Sequence, residues 1–449
     1  MFHSYLSTLR TFQRNLWLYF AAISLIGFTV DGGIFSVVFN LFLLRLGYDP
    51  AFVGEVNSAG LLSFAMCSLP AGALGGRIGN RRAMTIGLIV MMCSSLLLTF
   101  SQQIPDALRP LWLMAAYMVF NGGLAIYFVN TAPYLMAFTS DEQRSHAFAI
   151  QSAMISLAAF AGSLVGGVLP GLIANQMGLT LESATPYRYP LLVAALMLNL
   201  GVAALIFTKD DAESNQVAPP PIVPRRTYPS AFRIPRFTDI KAVVSLTHLD
   251  RAFLMLALVI SIIRIFQIAG MAVTMTFFNV YMDDGLGVST AQVGLLSGLG
   301  RLLAVPIVLA LPILANRWSH RNLVIGSSLS AVACLAPLAL VPIWWAAGSG
   351  YMGVMAGSSI RYTSFTIFIM ALIKPERRSF ISGLNEMTAG LSFAGMAFFG
   401  GYIIVAYGYQ MLFLIGALAS LVGTLIFWGY FRAEPRPFRH QVAAKASAD

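Results

Sequence analysis

Five ionisable residues stand inside long apolar runs of this 449-residue chain: Asp31, Arg264, Arg301, Arg361 and Glu386. A charge held in hydrocarbon costs about 2.5–3.5 kcal/mol even on the milder insertion scales, so each is a functional candidate. Three are arginines, whose planar guanidinium matches carboxylate and phosphate through paired hydrogen bonds. Counted from the end of its predicted helix that the loop charges place in the cytosol, Arg264 lies 12 residues in, Arg301 13 and Arg361 12. At the helical rise that is about 18–20 Å, so all three fall at one level near mid-membrane. Three positive charges against Asp31 and Glu386 leave an excess that an anionic substrate group would neutralise.

Asp31 is the candidate carrier of a coupling proton. A low-dielectric medium favours the neutral carboxyl, and Gly32 and Gly33 beside it allow the helix to bend. Glu386, about 9 Å from the cytosolic end by helical rise, is the second proton-coupling candidate. The alternatives are a permanent ion pair at Asp31, and backbone bonds or a gating pair with Glu386 for Arg301 or Arg361. Tyr127 and Gln267, in predicted helices 4 and 7, complete the candidate substrate contacts. Tyr117, Phe266, Met275 and Tyr362 offer adaptable aromatic and thioether surface, although packing is the commoner role for any one of them.

Other chemistries find no residues. His3, His146, His248, His320 and His440 all sit in predicted loops or tails, and there is neither an HExxH pair nor a phosphate-cradling loop. No enzyme, ATP-driven pump, metal or cofactor is expected. Cys67, Cys93 and Cys334 lie within apolar runs without metal or disulfide spacing, and read as packing residues.

The elements that must position the candidates follow from composition. With 58% hydrophobic and 10% charged residues and mean hydropathy +0.76, the chain reads as an all-α polytopic membrane protein. Apolar runs near 16–44, 52–75, 83–101, 110–136, 147–174 and 189–207, and again near 252–281, 291–314, 322–345, 350–373, 380–405 and 408–431, predict twelve transmembrane helices. Each is long enough for a core of about 30 Å. The first is too long, and lacks the small-residue cleavage site, for a signal peptide. Two six-helix bundles over 1–207 and 249–432 are thus expected, joined by a proline- and arginine-bearing cytoplasmic linker at 208–248 and followed by a tail at 433–449.

The net charge of +10 is placed asymmetrically: 22 of 28 Lys and Arg fall in loops and tails of one side, three on the other side (Arg45, Arg109, Arg188) and three within the membrane. That is the positive-inside pattern, not a nucleic-acid surface, and it puts both termini in the cytoplasm. The halves also repeat. GALGGRIGNRR at 72–82 is echoed by PILANRWSHR at 312–321, so that Arg77 aligns with Arg317 and Arg81 with Arg321. Gly47 and Val53-Gly54 match Gly287 and Val293-Gly294 at the same offset of 240, and Glu142-x-Arg144-Ser145 matches Glu376-x-Arg378-Ser379 at 234. Such a fixed offset marks an internal duplication.

The loop carrying Gly72, Arg77, Gly79, Arg81 and Arg82 resembles the signature between helices 2 and 3 of the major facilitator superfamily. It departs at the acidic position, which is Gly76 here and Asn316 in the second copy. Gly162, Gly166, Gly167, Pro170 and Gly171 resemble in part the glycine-proline motif of that family's proton-driven drug antiporters; small residues at this spacing also serve helix packing. The resemblance implies substrate held between the halves and alternating access by rocking. It further implies a cavity lined by helices 1, 4, 7 and 10, with 2, 5, 8 and 11 contributing, and a gating role for the signature loops.

The expectation is therefore a secondary transporter of a small organic solute in the cytoplasmic (inner) membrane. Proton-coupled export of an amphiphilic or anionic compound is preferred, and a monomer is expected in the lipid bilayer. Uptake of an organic anion by a symporter or exchanger is the rival within transport. A non-transporting receptor or scaffold of the same fold is the rival class.

Overall fold

The computed structural model describes residues 14–139, 141–208, 251–373 and 378–432. Within them the chain forms α1 (Arg14–Thr29), α2 (Ile34–Arg45), α3 (Pro50–Ile78), α4 (Asn80–Thr99), α5 (Arg109–Ala137), α6 (Asp141–Met177) and α7 (Thr185–Ile206). The second half supplies α8 (Arg251–Val280), α9 (Thr290–Leu309), α10 (Leu311–Arg317), α11 (His320–Leu340), α12 (Trp344–Leu372), α13 (Arg378–Tyr407) and α14 (Tyr409–Tyr430). Since α1 with α2 and α9 with α10 each make one broken crossing, these are twelve spans, six per half. The tail and all but residue 208 of the expected linker lie outside the described residues, as do Glu376 and the side chains of Glu142, Arg144 and Ser145 in the second loop repeat.

Eleven spans are long and apolar enough to cross a membrane by length and composition. The twelfth, α12, is 29 residues long but carries Ser358, Ser359, Arg361, Thr363 and Ser364 in one stretch. Its polarity has a cause: the same stretch faces the cavity described below.

The duplication is visible in three dimensions. Gly47 and Gly287 both take positive φ, +90° and +63°, in equivalent turns, a conformation that favours glycine. Seven residues on, the matching glycines each press against the opposite half. A Cβ on Gly54 would lie 2.3 Å from the carbonyl oxygen of Ala397, and one on Gly294 would lie 2.4 Å from that of Ser163. Span 2 (α3) thus packs on span 11 (α13), and span 5 (α6) on span 8 (α9 and α10). Small residues let backbones approach closely where hydrocarbon provides no hydrophobic drive. The span 5 glycines serve the same end: Gly162 abuts the Phe28 backbone, Gly166 Ile34 and Gly167 Thr290.

Arg81 and Arg321 occupy equivalent positions and do equivalent work. Arg81 donates from Nη1 to the carbonyls of Ile206 at 3.0 Å and Thr208 at 2.6 Å, closing the end of α7. Arg321 donates from Nε to the carbonyl of Phe431 at the end of α14. A cation at a helix C-terminus satisfies carbonyls that have no intrahelical donor and opposes the helix dipole. Arg77 and Arg317 are exposed.

Candidate functional site between the halves

The first span is broken at its mid-point. Helix α1 ends at Thr29, Gly32 adopts φ +85°, and α2 begins at Ile34. The Ser36 hydroxyl bridges the gap by accepting from Gly32 N at 3.0 Å and donating to the Val30 carbonyl at 2.6 Å. Asp31 lies in this break, as the Gly32-Gly33 pair requires. Its carboxylate meets Arg301 of α9, Nη2 to Oδ1, at 3.1 Å, with the side chains 34% and 24% exposed. A Cβ on Gly32 would sit 2.8 Å from Arg301 Nε, so the glycine also makes room for the guanidinium.

Arg301 stands at the junction of two cavities. The larger, about 670 Å³, lies on the side of spans 5, 7, 8, 10 and 11 and is lined among others by Arg264, Arg301, Arg361, Tyr362 and Glu386. The smaller, about 430 Å³, lies chiefly on spans 1, 2 and 4 and is lined among others by Asp31, Asn57, Tyr117 and Arg301. Met275, Arg301 and Phe393 line both. Spans 3, 6, 9 and 12 contribute to neither lining, the partition expected from the family resemblance.

The structure brings Arg264, Arg301, Arg361, Asp31 and Glu386 to these cavities. Arg361 is 2% exposed. It donates from Nη1 to the Gln267 carbonyl at 2.6 Å and from Nη2 to Ser358 Oγ at 3.1 Å, while its Nε has no partner. Arg264, also 2% exposed, lies over the rings of Tyr362 and Phe365 at 5.2 and 5.1 Å, its Nε likewise unpartnered. Glu386 accepts from the Tyr362 hydroxyl at 3.0 Å and from Asn385 Nδ2 at 3.1 Å.

The balance of these contacts is informative. Taking an ion out of water costs several kcal/mol after relaxation. A cation–π contact returns about 0.5–2 kcal/mol, and a hydrogen bond to a charged group about 1.5–3. Arg301 has a carboxylate partner; Arg361 has a carbonyl, a hydroxyl and, at 3.9 Å, the Met271 thioether; Arg264 has two rings and the field of the Glu386 carboxylate. Arg264 and Arg361 thus bring two buried guanidinium groups to one cavity, each with an Nε that has no partner among the described residues.

Two of the expected contacts sit elsewhere. Tyr127 is fully buried, its hydroxyl without a partner, and packs where Gly87 of α4 meets α5; it lines neither cavity. Gln267 lies on the α14 side of α8, its backbone abutting Gly423, and it too is outside both linings; it serves Arg361 through its carbonyl. Tyr117, Met275 and Tyr362 do line the cavities, whereas Phe266 is 39% exposed on the outside. Sequence reasoning missed Asn57, Ser358, Ser359 and Thr363. The last three were detectable as polar positions one turn either side of Arg361.

The cavities are closed at one end. There Arg45 pairs with Asp283 at 2.7 Å, Tyr187 shares a hydrogen bond with Thr290 at 3.1 Å, and Tyr402 donates to Glu55. Nearer the cavity, Asn40 Nδ2 donates to the Thr276 carbonyl at 2.9 Å and Asn279 Nδ2 to that of Ser36 at 2.8 Å. Among the described residues, all of these polar ties between the halves lie on the cavity's Asp49–Asp106 side. Cavities walled by two pseudo-equivalent bundles and sealed at one end fit a carrier that opens to alternate sides.

Comparison with known proteins agrees with that architecture. No curated protein sequence matches the chain. Among solved structures, a mutant of the nucleoside transporter NupG superposes with TM-score 0.70 at 13% identity, over 93% of this chain and all of that one. The D-xylose-proton symporter gives 0.69 at 12% identity, over 94% of this chain and 97% of that one. A bacterial homolog of the human lysosomal transporter Spinster, inward-facing and occupied, gives 0.67 at 13% identity, over 93% and 96%. The family model described as Major Facilitator Superfamily matches residues 20–394 and again 323–448. With its duplicated halves, its signature loops and a central cavity walled by eight of twelve spans, this multi-pass membrane protein belongs to the Major Facilitator Superfamily of secondary transporters.

Proposed function

We propose that the transporter carries an organic solute bearing a carboxylate or phosphate, amphiphilic in character, and that it exports this solute in exchange for protons. The observation that supports the reading is the pair Arg264 and Arg361: both line the larger cavity, both are buried, and each retains an Nε without a partner. Asp31 is the proton carrier in this reading, because its protonation would release Arg301, and Glu386 is the second proton-coupling candidate. The basic loops face the cytoplasm of a cell whose inner membrane holds the protein as a monomer, so the sealed Asp49–Asp106 end faces outward and the cavity is poised to load from inside. The fold-level neighbours carry names as different as nucleoside and xylose transporters, so the substrate has to be argued from this cavity.

A ligand-stabilisation screen on the purified full chain, spanning organic anions, cations and neutral amphiphiles, tests the charge class directly. Anions should stabilise the wild type, and Arg264→Gln, Arg301→Gln and Arg361→Gln should each weaken the effect. An organic cation transported equally well by all three variants would rule out anion selection. Accumulation inside cells, rather than depletion, would replace export by uptake.

A further inference from the structure

We infer that the smaller cavity holds a flat aromatic ring carrying an N–H or O–H donor, so that the substrate is an organic anion with a planar ring at the end away from its charge. The inference rests on the anion reading above and adds the chemistry of the other end.

Four of the seven rings lining this cavity form a near-parallel array. Phe35 stacks on Phe120 at 4.6 Å and 10° and on Phe39 at 4.9 Å and 20°; Phe39 stacks on Tyr117 at 4.5 Å and 16°. Phe35 and Tyr117 are within 4° of coplanar orientation at 6.3 Å. Ring pairs away from the cavity share no common orientation: Phe368 crosses Phe431 at 89° and Phe398 crosses Phe399 at 85°, while Phe278 stacks on Tyr351 at 21°. Offset stacking and edge-to-face contact are comparably favourable in a core. An array of one orientation facing an empty volume therefore has a shape of its own, and a flat ring continues it. Phe35, Phe39 and Phe120 are buried, whereas Tyr117 is half-buried and closes the stack.

The cavity also offers a single-sided polar partner. Asn57 spends both amide hydrogens, on Asn40 Oδ1 at 2.9 Å and on the Val53 carbonyl at 2.8 Å. Its own Oδ1 takes no hydrogen bond among the described residues, so the group presented to a ligand is an acceptor. Arg301, shared by both linings, places the ring chamber next to the guanidinium groups of the larger cavity.

The test is binding to the purified full chain of four probes: indole-3-acetate, 1-naphthaleneacetate, cyclohexaneacetate and the neutral indole-3-ethanol. Indole-3-acetate is expected to bind about tenfold or more tightly than cyclohexaneacetate, the scale of one aromatic stacking partner. Tyr117→Leu should erase that difference and leave cyclohexaneacetate unmoved. Asn57→Ala should weaken indole-3-acetate while leaving 1-naphthaleneacetate, which has no N–H, as it was. Equal binding of indole-3-acetate and cyclohexaneacetate by the wild type, a result that needs no variant to fold, overturns the inference and spares the anion reading. So does an equal loss of these two in Tyr117→Leu. Indole-3-ethanol bound as tightly as indole-3-acetate removes the anion reading and keeps the ring. Failure of all four probes to bind overturns both.

Discussion

Arg301 reaches from α9 in one half to Asp31 in the break of the first span in the other, closing a 3.1 Å ion pair at the boundary between two cavities. The pair ties the halves together at the level of the cavities, and in the proposed mechanism the charge on Asp31 is what holds Arg301. Protonation, or replacement by Asn, removes the anion that compensates Arg301 and leaves its guanidinium to substrate. In proteoliposomes, Asp31→Asn should abolish transport driven by an imposed pH gradient while substrate exchange without a gradient persists. Gradient-driven transport at the wild-type rate in Asp31→Asn would refute the assignment of the proton to this carboxyl.

Arg361 provides the sharper test of charge recognition, because its fixed bonds are to neutral groups. Truncating one partner of a desolvated, hydrogen-bonded charge pair costs about 2–5 kcal/mol. Arg361→Gln should thus weaken binding of an anionic ligand by at least about 30-fold, a loss of about 2 kcal/mol. Arg361→Lys keeps the charge but not the fork that reaches both Gln267 and Ser358, and should recover part of the affinity. Equal affinities for Gln and Lys variants would mean that geometry, not charge, is what Arg361 supplies.

Much of this was legible in the sequence, for a physical reason: bilayer thickness sets span length, and the cost of a charge in hydrocarbon singles out functional positions. The 240-residue offset marked Gly54 and Gly294 as equivalent, and both proved to be inter-half contacts. Other features depend on which face of a helix a residue occupies, which a nearly uniform apolar span does not record. Tyr127 and Tyr117 stand in the same helix, yet one packs inside its own bundle and the other lines a cavity. Pairings are equally hidden. Asp31 could have met any of three arginines, and only the break at Val30–Gly33, set by the φ of Gly32, aims it at Arg301.

The signature loops lend themselves to a stability measurement. Arg81 and Arg321 each bind the carbonyl terminus of the last helix of their own half, whereas Arg77 is exposed. Loss of hydrogen bonds from a charged donor to otherwise open carbonyls costs about 1.5–3 kcal/mol. Arg81→Ala and Arg321→Ala should both lower the unfolding temperature, by similar amounts, and Arg77→Ala should leave it within error. A variant of Arg81 or Arg321 with unchanged stability and altered transport would shift these residues from capping to gating.

The sealed end makes the last prediction, which also fixes the orientation. On a background without Cys67, Cys93 and Cys334, a cysteine at Asn80 should react with an impermeant reagent only from the cytosolic face, and one at Glu182 only from outside. Labelling of both on intact cells would defeat the charge-derived topology. With orientation in hand, the seal itself can be weakened. Arg45 meets Asp283 through Nη2 and the Leu181 carbonyl through Nε at 2.7 Å, both partners being largely withdrawn from solvent. Asp283→Asn removes the charge but keeps the shape, leaving Arg45 a neutral amide oxygen, the Leu181 carbonyl and the Tyr187 ring. Each 1.4 kcal/mol lost from the closed arrangement raises the population open at that end about tenfold. A cysteine at Asn40, below the seal, should therefore label from the Glu182 side about tenfold faster in Asp283→Asn than in the parent. An unchanged rate would mean that the glycine contacts at Gly54 and Gly294, and not the ion pair, hold that end shut.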